Sequence, residues 1–387
     1  MKTIMKLITL RRIKTQVIDG RPIIDLPPKE DRVQILELNT QERAGYEMVR
    51  RKADSYFSDL QKKGLLLSNY VHVLEAILRM RQAASHQSLI KDDSWMNHLL
   101  LNEDSGQNSI QLSISEATST YELLCETGDI QCVSCGSSVE CVEGSAYISP
   151  CGHLFCRGCS SGNQITCSAC HNSFSNEAFR QLNNISGEYE PDFMLLPEIG
   201  VTSTKIQTLI LDLMRVREED PTVKSIVFSQ WTNMLKLVSL SLQDCGIRFV
   251  QLDGSMSRAN RMKSMTLFKN APEIRVFLIS LKAGGVGLNL VRASRAYILE
   301  PYWNPAVEQQ AIDRIHRLGQ TRPVVAVRFI VKNTVEENML KLQKHKTRLA
   351  QIAFEEGEEG GKKRKSSSKE ELKTERLLSL KMLLGSR

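Results

Sequence analysis

Eight sulfur and imidazole donors run through one short stretch as Cys132-x2-Cys135-x15-Cys151-x-His153-x2-Cys156-x2-Cys159-x7-Cys167-x2-Cys170. They fall into four close pairs, and two such donors on a tight knuckle can approach one ion at the ~2.3 Å of a zinc–thiolate bond. The spacing predicts two tetrahedral Zn²⁺ sites and a small domain that zinc folds, because little apolar sequence separates the ligands. Gly152, Gly158 and Ser134 permit the turns. Cys125 and Cys141 are left over, and either becomes a ligand if the pairing slips; the Cys-Gly-His register at Cys151 argues for the eight above. Nine of the ten cysteines lie between Cys125 and Cys170. With no secretory signal in view, such clustering reads as metal binding before disulfides. The tenth, Cys245, is expected to be a buried small side chain.

The chain has 387 residues, 41% hydrophobic and 25% charged, so length allows roughly two or three domains. Lys plus Arg exceed Asp plus Glu by 51 to 44, a mild surplus that fits an anionic partner without demanding one. No run approaches the ~18 apolar residues of a membrane span. Ile4 to Leu10 is short, contains Lys6 and lacks a small-residue cleavage site, so neither a signal peptide nor a membrane partner is expected.

Apolar residues at three- and four-residue spacing predict helix from Ile35 to Leu89, after the breaker Pro27-Pro28. Residues 101 to 120 are rich in Ser, Asn, Gln and Thr and read as a linker ahead of the cysteine block. After Ser203 the texture becomes β-rich runs alternating with helical stretches: Ser225–Phe228, Arg248–Leu252, Val276–Ile279, Ala296–Leu299 and Val324–Phe329. Near-continuous aliphatic strands alternating with helices predict an α/β domain, a parallel sheet with helices on both faces. Thr334, with Glu337 three residues on, is the expected N-cap of a helix reaching about Phe354 and stopped by Gly357 to Gly361. The basic cluster Lys362–Lys365 and the serines after it read as disordered, and an amphipathic piece from Leu377 to Leu384 closes the chain.

Two runs in the α/β region carry chemistry. Ser280-Leu281-Lys282-Ala283-Gly284-Gly285-Val286-Gly287-Leu288-Asn289-Leu290 follows a strand, and its glycines let backbone approach a ligand where a side chain would clash. Downstream, Glu308 to Gln320 places Arg314 and Arg317 three apart, which on a helix is one face. Two guanidinium groups suit a triphosphate, and an arginine delivering charge to a γ-phosphate is worth ~10³ to 10⁵ in rate.

The cysteine string resembles the RING finger in order and spacing. That resemblance implies cross-bracing, with Cys132, Cys135, Cys156 and Cys159 on one zinc and Cys151, His153, Cys167 and Cys170 on the other. It also implies that Val133 contacts a ubiquitin-conjugating enzyme. RING ligases usually carry Pro within the last Cys-x2-Cys and a basic residue after it; Ser168-Ala169 and His171 stand there.

The glycine and arginine runs, with Val227-Phe228-Ser229-Gln230-Trp231, Leu252-Asp253-Gly254-Ser255 and Tyr302-Trp303-Asn304-Pro305, resemble the second RecA-like lobe of superfamily-two helicases of the SWI/SNF branch. By that resemblance Gly285, Gly287 and Asn289 lie beside the nucleotide, Arg314 and Arg317 are the fingers, and Gln310 and Asp313 couple them to the other lobe. Ser229, Gln230, Ser255 and Lys282 would face double-stranded DNA. Leu10–Lys14, Leu26–Lys29 and Leu78–Gln82 resemble the family's lobe-joining segment and protrusion. A RING between protrusion and lobe points to the subgroup of post-replication-repair translocases and helicase-like transcription factors, which are nuclear.

The implied organisation is a joining segment and helical protrusion over residues 1–100, a polar linker over 101–124, a RING over 125–180, a helicase C-terminal domain with a trailing brace helix over 200–355 and a basic tail over 356–387. ATP and Mg²⁺ are the implied cofactors beside the two Zn²⁺. No Gly-x4-Gly-Lys-Ser/Thr loop and no Asp-Glu box occurs in the sequence, so a first helicase lobe is the expected partner and the chain by itself is expected to lack ATPase activity. The alternative is a RING ligase or adaptor in which the lobe only binds DNA or a partner.

Overall fold

All five β-rich runs are strands of one sheet in the computed structural model, which describes residues 17–18, 21–22, 24–90, 114–127, 130–139, 146–182, 202–254, 256–284, 288–359 and 369–385. The order across the sheet is Phe249–Leu252, Val276–Ser280, Ser225–Ser229, Arg295–Ile298, Val324–Val331 and Lys29–Leu36, with every pairing parallel. Side chains alternate between the two faces. Ile226 and Phe228 pack with Phe268 of helix Arg258–Asn270 and Ile312 of helix Pro305–Ile312. Val227 packs on the opposite side with Leu209 of helix Thr204–Glu219 and Leu235 of helix Thr232–Asp244. With both faces covered, each such side chain contributes about 1.5–3 kcal/mol relative to an exposed one.

The sixth strand corrects the expectation of helix from Ile35. Lys29–Leu36 pairs residue for residue with Val324–Val331, and helix begins only at Thr40. An edge strand tolerates the charges of Lys29-Glu30-Asp31-Arg32 because one flank stays open to water, so its sequence lacks the aliphatic run that marks the central strands.

Helices Thr40–Lys63 and Tyr70–Ser85 occupy the stretch expected to be the protrusion and share one apolar cluster. The first opens with a capping box between Asn39 and Glu42, and the same Glu42 carboxylate accepts the Thr204 amide at 2.7 Å. One acid thus serves two helix N-termini, where negative charge is favoured. The expected linker is helical in its second part: Ile114–Thr127 packs Ala117, Tyr121 and Leu124 into the protrusion core, and residues 101–113 lie outside the described ones. Its polar residues disguise an apolar stripe spaced four and three apart.

The brace helix runs from Val335 to Glu359, past Gly357, and Thr334 caps it differently from the expected box. The Glu336 amide donates to Thr334 Oγ1 at 3.3 Å, and Thr334 Oγ1 donates to the Val331 carbonyl at 2.7 Å. A terminal helix, Lys369–Leu384, lays Leu380 and Leu383 onto the same apolar cluster, while Lys362–Lys365 lie outside the described residues. Cys245 is half-buried at the end of helix Thr232–Asp244, more open than expected. No helix among the described residues is long and apolar enough to cross a membrane.

Candidate functional site

Parallel strands bring their C-terminal ends to one edge of the sheet, where α/β folds bind ligands. Ser280 is in register with Ser229, and Ile298 with Phe228, so the loops after three strands meet there. Lys282 lies in the helical turn Leu281–Gly284, its side chain outside the described residues, as are Ser255, Gly285 and Gly287. Asn289 is exposed, and its Oδ1 accepts the Val291 amide at 3.4 Å.

The arginine run is not the helix face expected of it. Helix Pro305–Ile312 ends at Asp313, and the chain tightens through Arg314 N to Ala311 O at 3.2 Å, Ile315 N to Ile312 O at 2.9 Å and Arg317 N to Ile315 O at 3.2 Å. Gly319, at φ 98°, then turns the chain into a region where a side chain would be strained. Arg314 and Arg317 are therefore half-buried turn residues. Two tethers hold this turn against the segment after the glycine loop: the Leu290 amide donates to the Arg314 carbonyl at 3.1 Å, and Gln320 Nε2 donates to the Ala293 carbonyl at 2.8 Å. Asn289 and Arg314 consequently sit at one junction. Gln310 is exposed; Asp313 is half-buried and accepts from Gln309 Nε2 at 3.0 Å.

Ser229 and Gln230 do not present an open face to DNA in this structure. Ser229 is fully buried, and its hydroxyl donates to the Glu300 carboxylate at 3.0 Å. Gln230 Oε1 accepts from Arg81 Nη2 at 2.7 Å, and the same Arg81 nitrogen donates to the Pro301 carbonyl at 3.0 Å. Burial pushes Glu300 up to about 7 despite nearby Lys205 and the bonds from Ser229 and Gln230. Sequence reasoning missed this polar interior: Arg81, Glu300, Glu308 and the Lys205–Glu336 pair. The one signal available was a charge set inside an apolar run, as in Tyr297-Ile298-Leu299-Glu300-Pro301, and it names no partner. Glu308, inside the arginine run, accepts from the Tyr302 amide, Gln343 Nε2 and Arg328 Nε at 2.7, 2.6 and 2.8 Å, fixing the brace helix to the base of the turn.

The donor string folds into two groups. Cys132, Cys135, Cys156 and Cys159 gather in one, and Cys151, His153, Cys167 and Cys170 in the other, with the ligand atoms of each group within 4.8 Å of one another. The Cys135 and Cys156 sulfurs are 3.8 Å apart, equal to the about 3.8 Å edge of a tetrahedron with zinc–thiolate bond lengths. The donor set and spacing fit zinc. Gly152, between two donors, has φ 75°, and a β-carbon there would meet Val71 Cγ1 at 3.2 Å, so the knuckle needs glycine twice over. The finger's small core is Phe155 edge-on to Phe179 at 5.1 Å. Val133 lies half-buried against that core, and its carbonyl accepts Ser168 Oγ at 2.6 Å, which ties the first knuckle to the last. Cys125 is exposed on helix Ile114–Thr127 and is in neither group; Cys141 lies outside the described residues.

Residues 204–319 match the helicase conserved C-terminal domain. The chain is 35% identical over 364 residues to helicase-like transcription factor of Homo sapiens, covering 92% of this chain and 35% of that protein. It is 37% identical over 374 residues to DNA repair protein RAD5A of Arabidopsis thaliana, covering 92% and 36%. The chain thus spans about a third of the length of these relatives. Its fold is similar to a crystal structure of the C-terminal part of the Fun30 ATPase domain, with TM-score 0.52 and 18% identity over 94% of this chain and 100% of that one. The chain therefore carries a helicase conserved C-terminal domain, within a segment homologous to part of helicase-like transcription factor and of DNA repair protein RAD5A.

Proposed function

We propose that this chain is the second-lobe part of an ATP-dependent double-stranded DNA translocase that remodels DNA in repair and damage tolerance, working in the nucleus. The observation that carries the reading is the junction at the sheet's C-terminal edge, where the Leu290–Arg314 and Gln320–Ala293 hydrogen bonds hold the arginine turn against the segment that follows the glycine loop. Gly285, Gly287 and Asn289 would line one side of the nucleotide, and Arg314 and Arg317 would place positive charge on the γ-phosphate as negative charge shifts during transfer. Gln310, exposed on the helix before the turn, and Asp313 at its end would couple the arginines to the other lobe. ATP with Mg²⁺ needs a phosphate cradle and an Asp-Glu box, and neither occurs in this sequence, so a first lobe would complete the site. Lys282 and Ser255 remain the proposed DNA contacts, and Ser229 and Gln230 act behind that surface.

The two donor groups would each hold one Zn²⁺, which folds the finger. Val133 would contact a ubiquitin-conjugating enzyme, giving the protein RING-type ubiquitin ligase activity. A second reading, a ligase or adaptor whose lobe is a binding scaffold, draws on the burial of Ser229 and Gln230 and the lack of a cradle.

The deciding experiment is ATP turnover with and without duplex DNA, for this chain alone and for a protein that joins it to a first lobe of its relatives. DNA-stimulated turnover only in the joined protein, abolished by Arg317→Ala, supports the motor. Its absence there, with ubiquitin chains formed by wild type and lost in Val133→Asp, supports the scaffold reading.

A further inference from the structure

Helix Tyr70–Ser85 touches the finger at one end and the lobe at the other. Near its start, Val71 bears on Gly152, the residue between donors Cys151 and His153. Val71 and Leu74 share one buried cluster with Ile148 and Leu154 of the finger's sheet. Ten residues after Val71, about 15 Å along the axis, Arg81 is 1% exposed. Its Nη2 bridges Gln230 Oε1 and the Pro301 carbonyl, and its guanidinium lies 5.5 Å from the Trp231 ring centroid. At the helix end, Ser85 Oγ accepts from Lys205 Nζ at 3.2 Å.

A hydrogen-bonded helix moves as a rod over this length, so what displaces one end displaces the other. The finger has a small core, and its knuckles are shaped by the donors they carry. Without ions, the Gly152 knuckle loses the constraint that presses it on Val71. At the far end, Arg81 cannot shift alone, because leaving Gln230 and Pro301 would strand a buried guanidinium, the costliest kind of unmade hydrogen bond. Ser229, Gln230 and Trp231 close the central strand at the edge where the proposed motor site lies, and the Ser229 hydroxyl and Gln230 amide both bond to Glu300.

We infer that the metal state of the finger is transmitted along helix Tyr70–Ser85 to the Ser229–Trp231 segment, with Arg81 as the positioning residue that passes it on. This rests on the zinc reading of the two donor groups. The finger is then a sensor for the motor as well as a docking module, and metal loss at its thiolates changes the lobe.

The test is hydrogen–deuterium exchange of the purified chain before and after zinc is removed with a chelator, with bound zinc counted by elemental analysis. The expected result is two zinc equivalents per chain and, on removal, several-fold faster exchange in 146–156, 70–85 and 225–231, with helix Arg258–Asn270 on the opposite layer unchanged. Arg81→Lys keeps the charge but cannot span both acceptors and the ring; it should retain zinc and lose the response at 225–231. Should Arg81→Lys not fold, Val71→Ala cuts the other contact and should blunt the same response. Acceleration confined to the finger overturns the inference, as does uniform acceleration that includes 258–270, which would make the finger part of one cooperative unit. A folded chain with no zinc removes the metal reading, and the inference with it.

Discussion

Lys205 and Glu336 form an ion pair sealed from solvent, with side chains 0% and 1% exposed, between the first helix of the α/β domain and the first turn of the brace helix. Lys205 Nζ also donates to the Leu299 carbonyl at 2.7 Å, and Glu336 Oε2 accepts the Val331 amide at 2.9 Å. Burial raises the Glu336 carboxyl above its ordinary range, with Lys205 opposing that rise. Lys205 donates its three protons to Ser85, Leu299 and Glu336, and each Glu336 oxygen accepts one bond, so losing one partner is worse than losing both.

Lys205→Met is expected to destabilise the chain by about 3–5 kcal/mol, because it leaves Glu336 buried without its cation. Lys205→Met with Glu336→Leu should cost clearly less than the sum of the single changes. Urea denaturation of the four proteins measures the coupling; additive effects would mean the pair does not act as a unit.

Glu300 makes stability depend on pH in an uncommon direction. Its folded-state value is about 7 and its unfolded value 4.5, so the folded chain binds more protons between those limits. Stability from this group is full below pH 4.5, falls as pH rises to about 7 and is flat above, a span of about 3 kcal/mol. Glu300→Gln should therefore be more favourable relative to wild type at pH 8 than at pH 5.5. Equal differences at the two pH values, from denaturant midpoints, would contradict a protonated Glu300.

In a protein with both lobes, Arg317→Ala should lower kcat for ATP by about a hundredfold or more while leaving the melting temperature nearly unchanged, since the side chain is half-buried at a turn. Arg314→Ala should show a similar kinetic loss. Retained turnover with DNA present would remove both residues from the transfer step.

Each donor group should hold one metal independently. His153→Ala is expected to reduce bound zinc from two equivalents to one, and Cys135→Ser to remove the other, each lowering the thermal midpoint of the finger. Elemental analysis of purified variants reads this directly; loss of both ions from a single change would show that the groups fold cooperatively.

Much of the fold was legible because it rests on local pattern. The aliphatic runs at Ser225, Val276 and Val324 announce strands covered on both faces, and the spacing of the cysteines announces paired knuckles; neither needs knowledge of distant residues. What sequence could not supply was anything decided by a partner far along the chain. Lys29–Leu36 is a strand because Val324–Val331 offers it a ladder, and Ile114–Thr127 is a helix because the protrusion offers its stripe a core. Arg314 and Arg317 leave the helix because Leu290 and Gln320 claim that stretch for a turn. Ser229 looks like a surface hydroxyl until Glu300 folds over it. Periodicity and ligand spacing are properties of the chain alone, whereas a buried charge, an edge pairing or a tethered turn draws its free energy from groups that only the folded molecule brings within hydrogen-bonding distance.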